Sequence, residues 1–223
     1  MEQLSANRSR LKGLVVFDFD STLMAGETID FLAEPLGLKR EVEAITHRAM
    51  AGEIDFFESL IARVALLKGL PVKKVEKICQ SLPFTPGARE TVKKLKEGGY
   101  RVVCFSGGFR PATSYGRQVL GYDADFSNIL HSTKGVLTGK VGGEMMFSNS
   151  KGDLLLRLQT LMGIPKRDTI VVGDGANDLS MFPYGGIKIA FCGKPVVRKQ
   201  ADYQIDRFDL REVLEILSKL GRI

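Results

Sequence analysis

Four short apolar runs punctuate the chain, and each ends in polar or glycine-rich residues: "GLVVFDFD" from Gly13, "YRVVCFSGG" from Tyr100, "TIVVGDGAND" from Thr169 and "IKIAFCG" from Ile187. Continuous Val/Ile/Phe runs of this length suit parallel strands covered on both faces, because a half-exposed strand would alternate apolar with polar positions. Between them, helical periodicity predicts helices over Pro86–Glu97, Pro111–Leu120, Ser150–Met162 and Asp209–Leu220. Strands alternating with helices predict an α/β fold with a doubly wound, mainly parallel sheet.

Residues from about Glu27 to Leu82 break that alternation, reading as several amphipathic helices with no strand between them. The expected division is therefore a core made of 1–25 and 83–223, interrupted by a small α-helical cap over 26–82. Between Phe126 and Phe147, short β-type runs around Lys134-Gly135 and Gly142-Gly143 suggest a small hairpin excursion. Internal repeats and low-complexity segments are absent from the sequence.

With 223 residues and 44% hydrophobic content, the chain has enough apolar surface for one good core, which argues against disorder. A net charge of +6 invites a polyanionic partner, yet no Lys/Arg run exceeds two residues and acids are interleaved throughout. We expect a mildly basic surface suited to anionic small molecules and no nucleic-acid partner, since no stacking aromatics sit among the basic residues. Cys79, Cys104 and Cys192 are odd in number and lie in apolar stretches, as expected of reduced thiols in a cytoplasmic protein. The opening "MEQLSANRSRLKG" lacks an apolar leader and no stretch is long enough to span a bilayer, so no membrane partner is expected.

In open α/β sheets, ligands collect beyond the carboxyl ends of the strands, so the polar residues ending each run are expected to share one crevice. These are Asp18 with Asp20, Ser106 with Gly107, and Asp174 with Asn177 and Asp178. If the first strand extends through Asp20, Asp18 and Asp20 point to the same side, and two adjacent buried carboxylates then need a cation or a chemical use. Oxygen donors, with only two histidines in the chain, select a hard divalent cation, ordinarily Mg²⁺ where phosphate is handled. The expected ligands are the Asp18 and Asp174 side chains and the Asp20 backbone carbonyl, supported by Asp178 and Asn177. Ser106 could hydrogen-bond a phosphoryl oxygen, and Gly107 and Gly108 would let backbone N–H groups approach it. Ser150 with Asp153 reads as a capping box. That places Lys151 in a first helical turn, where the helix dipole disfavours a cation by about 0.3–1 kcal/mol unless an anion is near. A solvated surface lysine is the competing interpretation.

Taken together, "DFDST", "FSGG", Lys151 and "GDGAND", with "GETIDFLAE" entering the helical block, resemble the ordered motifs of the haloacid dehalogenase superfamily and, within it, the phosphoserine phosphatases. The similarity runs from Leu14 to about Leu217. It implies a Rossmann-like core and an aspartyl-phosphate mechanism: Asp18 as nucleophile, Asp20 as acid and base, Lys151 adding positive charge, and Mg²⁺ bridging nucleophile and phosphate. It further implies that Arg63 binds the substrate carboxylate and Glu27 its ammonium, with Met50 and Phe56 near the substrate. The implied reaction is hydrolysis of phosphoserine, the last step of serine biosynthesis. By themselves, Glu27 reads as an acid in the first turn of a helix and Arg63 as an arginine that reaches water from near an apolar face. Pro183 is expected to end the helix after the fourth motif early, and His47 and His131 match no catalytic position. Two rivals stay open: transfer of phosphate from phosphoserine to homoserine, and a receiver-like regulatory domain. The oligomeric state, a homodimer included, stays open as well.

Overall fold

A computed structural model describes residues 11–50 and 53–223. Its framework is a seven-stranded sheet in the order β4-β3-β2-β1-β5-β6-β7. The strands are β1 (Gly13–Asp18), β2 (Tyr100–Phe109), β3 (Ala124–Thr133), β4 (Val136–Gly143), β5 (Thr169–Gly173), β6 (Ile187–Phe191) and β7 (Tyr203–Ile205). All neighbours pair in parallel except β3 with β4. The four apolar runs form the four central strands, and β1 lies in the middle because both its faces are apolar. Val15 and Phe17 pack into one buried cluster with Val102, Cys104, Ile170 and Val172. Leu14 and Val16 pack into the other with Val103, Phe105, Val171 and Leu155. The period of two along the strand divides its side chains between the two layers.

Helices α1 (Thr28–Ala33), α2 (Lys39–Met50), α3 (Phe56–Ala65) and α4 (Val72–Cys79) follow β1, with a single 3₁₀ turn at Glu34–Leu36. They share the first buried cluster with the sheet through Leu32, Val42, Leu60, Val64 and Val75. The later helices are α5 (Ala88–Glu97), α6 (Arg110–Leu120), α7 (Ser150–Met162), α8 (Pro195–Arg198) and α9 (Arg211–Lys219). α5 and α9 start two residues later than periodicity suggests, and α6 one residue earlier, with Pro111 accommodated in its first turn.

Three local readings need correction. The hairpin is no excursion: β3 pairs in parallel with β2 and carries β4 as the sheet's edge, so the segment extends the main sheet. After β5 the chain forms two 3₁₀ turns, Ala176–Ser180 and Phe182–Tyr184, in place of an α-helix. Pro183 belongs to the second turn, and its missing N–H together with the turn-forming Gly185 keeps the segment short. The Ser150–Asp153 capping box does not form. Asn149 precedes the helix and its side-chain amide donates to Asp153 at 2.8 Å, while Ser150 lies inside α7 and its Oγ accepts the Phe147 N–H at 3.1 Å.

The described residues contain no helix long and apolar enough to cross a membrane. Residues 1–10, where the absence of a leader was read, lie outside those described.

Candidate active site

β1 and β5 are neighbours whose chains leave in opposite senses across the sheet, β1 toward β2 and β5 toward β6. Phe17 is in register with Val172, so Asp18 and, one residue past its level, Asp174 both emerge at this switch point. β1 ends at Asp18, not at Asp20. Ser21 turns the chain with a left-handed φ of 58°, and the N–H groups of Thr22 and Met24 both donate to the Phe19 carbonyl. The alternation expected through Asp20 is thus broken, yet the turn returns Asp20 to the same cavity that Asp18 lines.

Lys151 is central to the charge balance. Its Nζ lies 2.7 Å from Asp18 Oδ1 and 2.6 Å from Asp178 Oδ1, with only 3% of the lysine exposed. The surface-lysine interpretation fails, and the anions that offset the helix dipole are these two carboxylates. Gly152 makes the approach possible, since a Cβ there would lie 2.2 Å from the Ser180 carbonyl oxygen. Burial pulls the Lys151 pKa down, but Asp178 and Asp18 more than offset this and hold it above the ordinary range.

Carboxylate oxygens of Asp18, Asp174 and Asp178 all come within 4.8 Å of one another. Burial, then the Asp178 charge, pushes Asp18 well above the usual carboxylate range, with Lys151 opposing. The same two causes raise Asp174 to about 7. Three buried carboxylates facing one buried ammonium leave excess negative charge, and the donors are all oxygen. This set fits a hard divalent cation. Asp178 is already engaged: Oδ1 takes Lys151, and Oδ2 accepts the N–H groups of Asp174 and Gly175 at 3.0 Å each. Among the described residues, Asp18 and Asp174 each keep an oxygen free of such contacts, although the Phe19 N–H reaches Asp18 Oδ1 at 2.6 Å and Thr22 Oγ1 donates to Asp174 Oδ1 at 3.3 Å.

The Asp20 side chain is turned to other work. Both the N–H and the hydroxyl of Thr28 donate to its Oδ1, so this carboxylate caps α1. Burial, then Glu27, raises its pKa to about 7. Its Oδ2 lies only 2.5 Å from where a Cβ on Gly108 would be, so a side chain at position 108 would displace the acid. The β2–β3 register breaks between Phe105 and Phe109, which takes Ser106, Gly107 and Gly108 out of the regular ladder. Ser106 is fully buried behind the cavity wall, and its Oγ accepts the Gly108 N–H at 2.9 Å, leaving its own proton to donate elsewhere.

These groups open on a cavity of about 460 Å³ lined by Asp18, Asp20, Gly107, Gly108, Asp174 and Asn177 on the sheet side. The helical block supplies further lining, with Glu27, Arg63 and Phe56 among its residues. Glu27 sits at the N-cap of α1 and not in its first turn, and accepts the Ser21 hydroxyl at 2.9 Å. Arg63 is carried by α3, whose start is set by a capping box. Asp55 accepts the Glu58 N–H at 2.7 Å and Glu58 accepts the Asp55 N–H at 3.1 Å. Arg63 Nε donates to the Ser59 carbonyl at 3.3 Å, and burial lowers the guanidinium pKa against the opposing charges of Glu27 and Asp20.

Sequence reasoning overlooked several residues here. Thr28 and Thr22 orient Asp20 and Asp174, and a Thr directly after an acid at a helix start was the available signal for the first. His47 lines the cavity from α2, and Asp30, Glu43 and Lys194 also line it. His131 is exposed on β3. The Met50 side chain lies outside the described residues.

A family model described as haloacid dehalogenase-like hydrolase matches residues 13–186. The phosphoserine phosphatase of Wolinella succinogenes is 56% identical over 201 residues, covering 90% of this chain and 98% of the relative. That of Methanocaldococcus jannaschii is 48% identical, covering 92% and 98%. A solved phospho-aspartyl intermediate analogue of phosphoserine phosphatase superposes with a TM-score of 0.87 at 48% identity, over 92% of this chain and 98% of the other. A substrate-bound phosphoserine phosphatase complex gives the same values. Motifs, sheet topology, carboxylate cluster and similarity along nearly the whole chain agree: it belongs to the haloacid dehalogenase-like hydrolases.

Proposed function

We propose that the chain is a Mg²⁺-dependent phosphatase that hydrolyses O-phospho-L-serine to L-serine and inorganic phosphate. The observation that carries this reading is one cavity lined by Asp18 and Asp20 together with Glu27 and Arg63. That charge pattern matches a phosphate monoester bearing both ammonium and carboxylate. Relatives of this length and similarity are phosphoserine phosphatases, which supports the same substrate.

Asp18, Asp174 and the Asp20 carbonyl would hold Mg²⁺, which when bound neutralises phosphate charge and draws it toward Asp18. An Asp18 oxygen attacks phosphorus in line, forming an O–P bond while the bond from phosphorus to the serine oxygen breaks. Asp20, whose raised pKa of about 7 keeps a large fraction protonated near neutral pH, passes its proton to the departing alkoxide. Water then attacks the acyl phosphate, Asp20 takes a proton back, and phosphate leaves. Lys151 steadies Asp18, while Ser106, Gly107 and Asn177 donate to the phosphoryl oxygens. Residues 26–82 serve as the cap over a core of 1–25 and 83–223, and Arg63 and Glu27 bind carboxylate and ammonium. The three free cysteines suit work in the reducing cytoplasm.

Phosphate release from L-phosphoserine, phosphothreonine and sugar phosphates tests this reading. The expected result is Mg²⁺-dependent release strongest with L-phosphoserine, abolished by a chelator, with no phosphohomoserine formed when homoserine is added. Preference for a sugar phosphate, or accumulation of phosphohomoserine, rejects it.

Asp20→Asn is expected to cut kcat/KM for phosphoserine by roughly 10²–10⁴-fold, the usual reach of general acid catalysis. Hydrolysis of p-nitrophenyl phosphate, whose leaving group departs without a proton, should suffer much less in its first step. Equal losses for the two esters would remove Asp20 as the proton donor.

A further inference from the structure

α3 presents Phe56, Ser59, Leu60 and Arg63 to the cavity, a spacing that places all four on one helical face. Ser59 is the one member of this stripe whose polar atom has no partner. It is 2% exposed, and its hydroxyl makes no hydrogen bond among the described residues. A helical Ser or Thr can return its hydroxyl to the carbonyl four residues back, whatever its exposure. Thr46, which also lines the cavity, does this with Val42 at 3.0 Å, and Thr160 does it with Leu156 at 2.9 Å. Ser59 does not, although the Asp55 carbonyl accepts its backbone N–H at 3.0 Å. Among the described residues, Thr85 Oγ1, Thr91 Oγ1 and Arg110 Nε are also buried without a hydrogen bond, but none of those three residues lines the cavity.

The position along the helix indicates which ligand group would complete this hydroxyl. Phe56 marks the phosphate end, since its ring carbon Cζ is 3.1 Å from where a Cβ on Gly107 would sit. Arg63 lies about 10 Å further along the axis, and Ser59 falls between them. The Arg63 side chain folds back over this same turn, with its Nε held by the Ser59 carbonyl. An anion drawn to the guanidinium therefore arrives beside the Ser59 side chain.

We propose that the Ser59 hydroxyl is a further substrate-binding group: it donates to the carboxylate that Arg63 attracts, and so helps select an amino-acid phosphate over simpler phosphate esters. This rests on the phosphoserine reading above. Buried hydroxyls are rarely left unpaired, so a cavity-lining one that is orphaned in the free protein gains its partner from the ligand.

Ser59→Ala tests it by steady-state kinetics with Mg²⁺ on L-phosphoserine and on phosphoethanolamine, which keeps the ammonium and lacks the carboxylate. We expect KM for phosphoserine to rise about tenfold, the worth of one hydrogen bond to a charged group, with kcat little changed. KM for phosphoethanolamine is expected to stay put. The variant's Tm is expected to be no lower than the parent's, because no hydrogen bond among the described residues is lost. An unchanged KM for phosphoserine, an equal rise for phosphoethanolamine, or a lowered Tm overturns the assignment. A parent enzyme inactive on phosphoserine would sink the substrate reading itself, an outcome distinct from an active parent matched by its variant.

Discussion

Asp18→Asn is expected to lower turnover of phosphoserine by on the order of 10⁴-fold or more, because an amide is a poor nucleophile toward phosphorus and no other side chain occupies its place. The fold is expected to survive. Asn keeps the shape at a position only 4% exposed, and it removes a charge that burial and Asp178 disfavour. Lys151 loses one of its two carboxylates but keeps Asp178 at 2.6 Å, so its ammonium is not left alone. Rapid quenching of the parent enzyme with radiolabelled phosphoserine is expected to label position 18, and the variant is expected to carry no label. A variant that retains a substantial fraction of turnover, or that still takes up label, would show that the nucleophile lies elsewhere.

Lys151→Met carries the largest expected cost to stability. It leaves the Asp18 and Asp178 carboxylates, 4% and 0% exposed, without the ammonium that reaches both. Breaking a buried ion pair from one side typically costs about 3–5 kcal/mol. In a chain of this size that corresponds to roughly 6–20 °C in Tm. The pH dependence separates this cause from poor packing. In the metal-free parent, the raised pKa values of Asp20 and Asp174 mean stability that is present below their unfolded values and lost as pH rises through about 7, and the raised pKa of Asp18 acts in the same direction. Without Lys151 the carboxylates are still harder to ionise, so the loss on raising pH is steeper. Melting curves in chelator are thus expected to show a gap between parent and variant that is wide at pH 8 and narrow at pH 5. A gap independent of pH would assign the cost to lost packing.

Much of this was written locally. Continuous apolar runs such as Leu14–Phe17 and Ile170–Val172 specify strands covered on both faces, whatever lies beside them. The polar residues that end those runs mark the sheet's carboxyl edge. The candidate chemistry was legible for the same reason, since Asp18 ends β1, Asp174 follows β5, and Ser106 lies where β2 leaves its regular pairing. Where local signals were weak, local reading erred. β7 is three residues long, too short for its pattern to stand out, and the alternating pattern of β3 and β4 carries no information on whether they join the main sheet. A capping box is likewise only a possibility until the helix start is known, and α7 starts on the serine itself.

What the sequence alone determined about this protein is the parallel α/β framework, the interrupting helices and the order of its acidic and glycine-rich turns. Periodicity and turn chemistry act over a few residues and do not depend on distant parts of the chain. Only the tertiary structure decided that Lys151 is buried between Asp18 and Asp178, that Thr28 holds Asp20, and that Thr22 reaches an acid 152 positions away. It also decided that α3 lays Ser59 and Arg63 along the cavity wall. Those pairings depend on how layers meet, and burial fixes the energy of each charge and hydroxyl only once the layers have met.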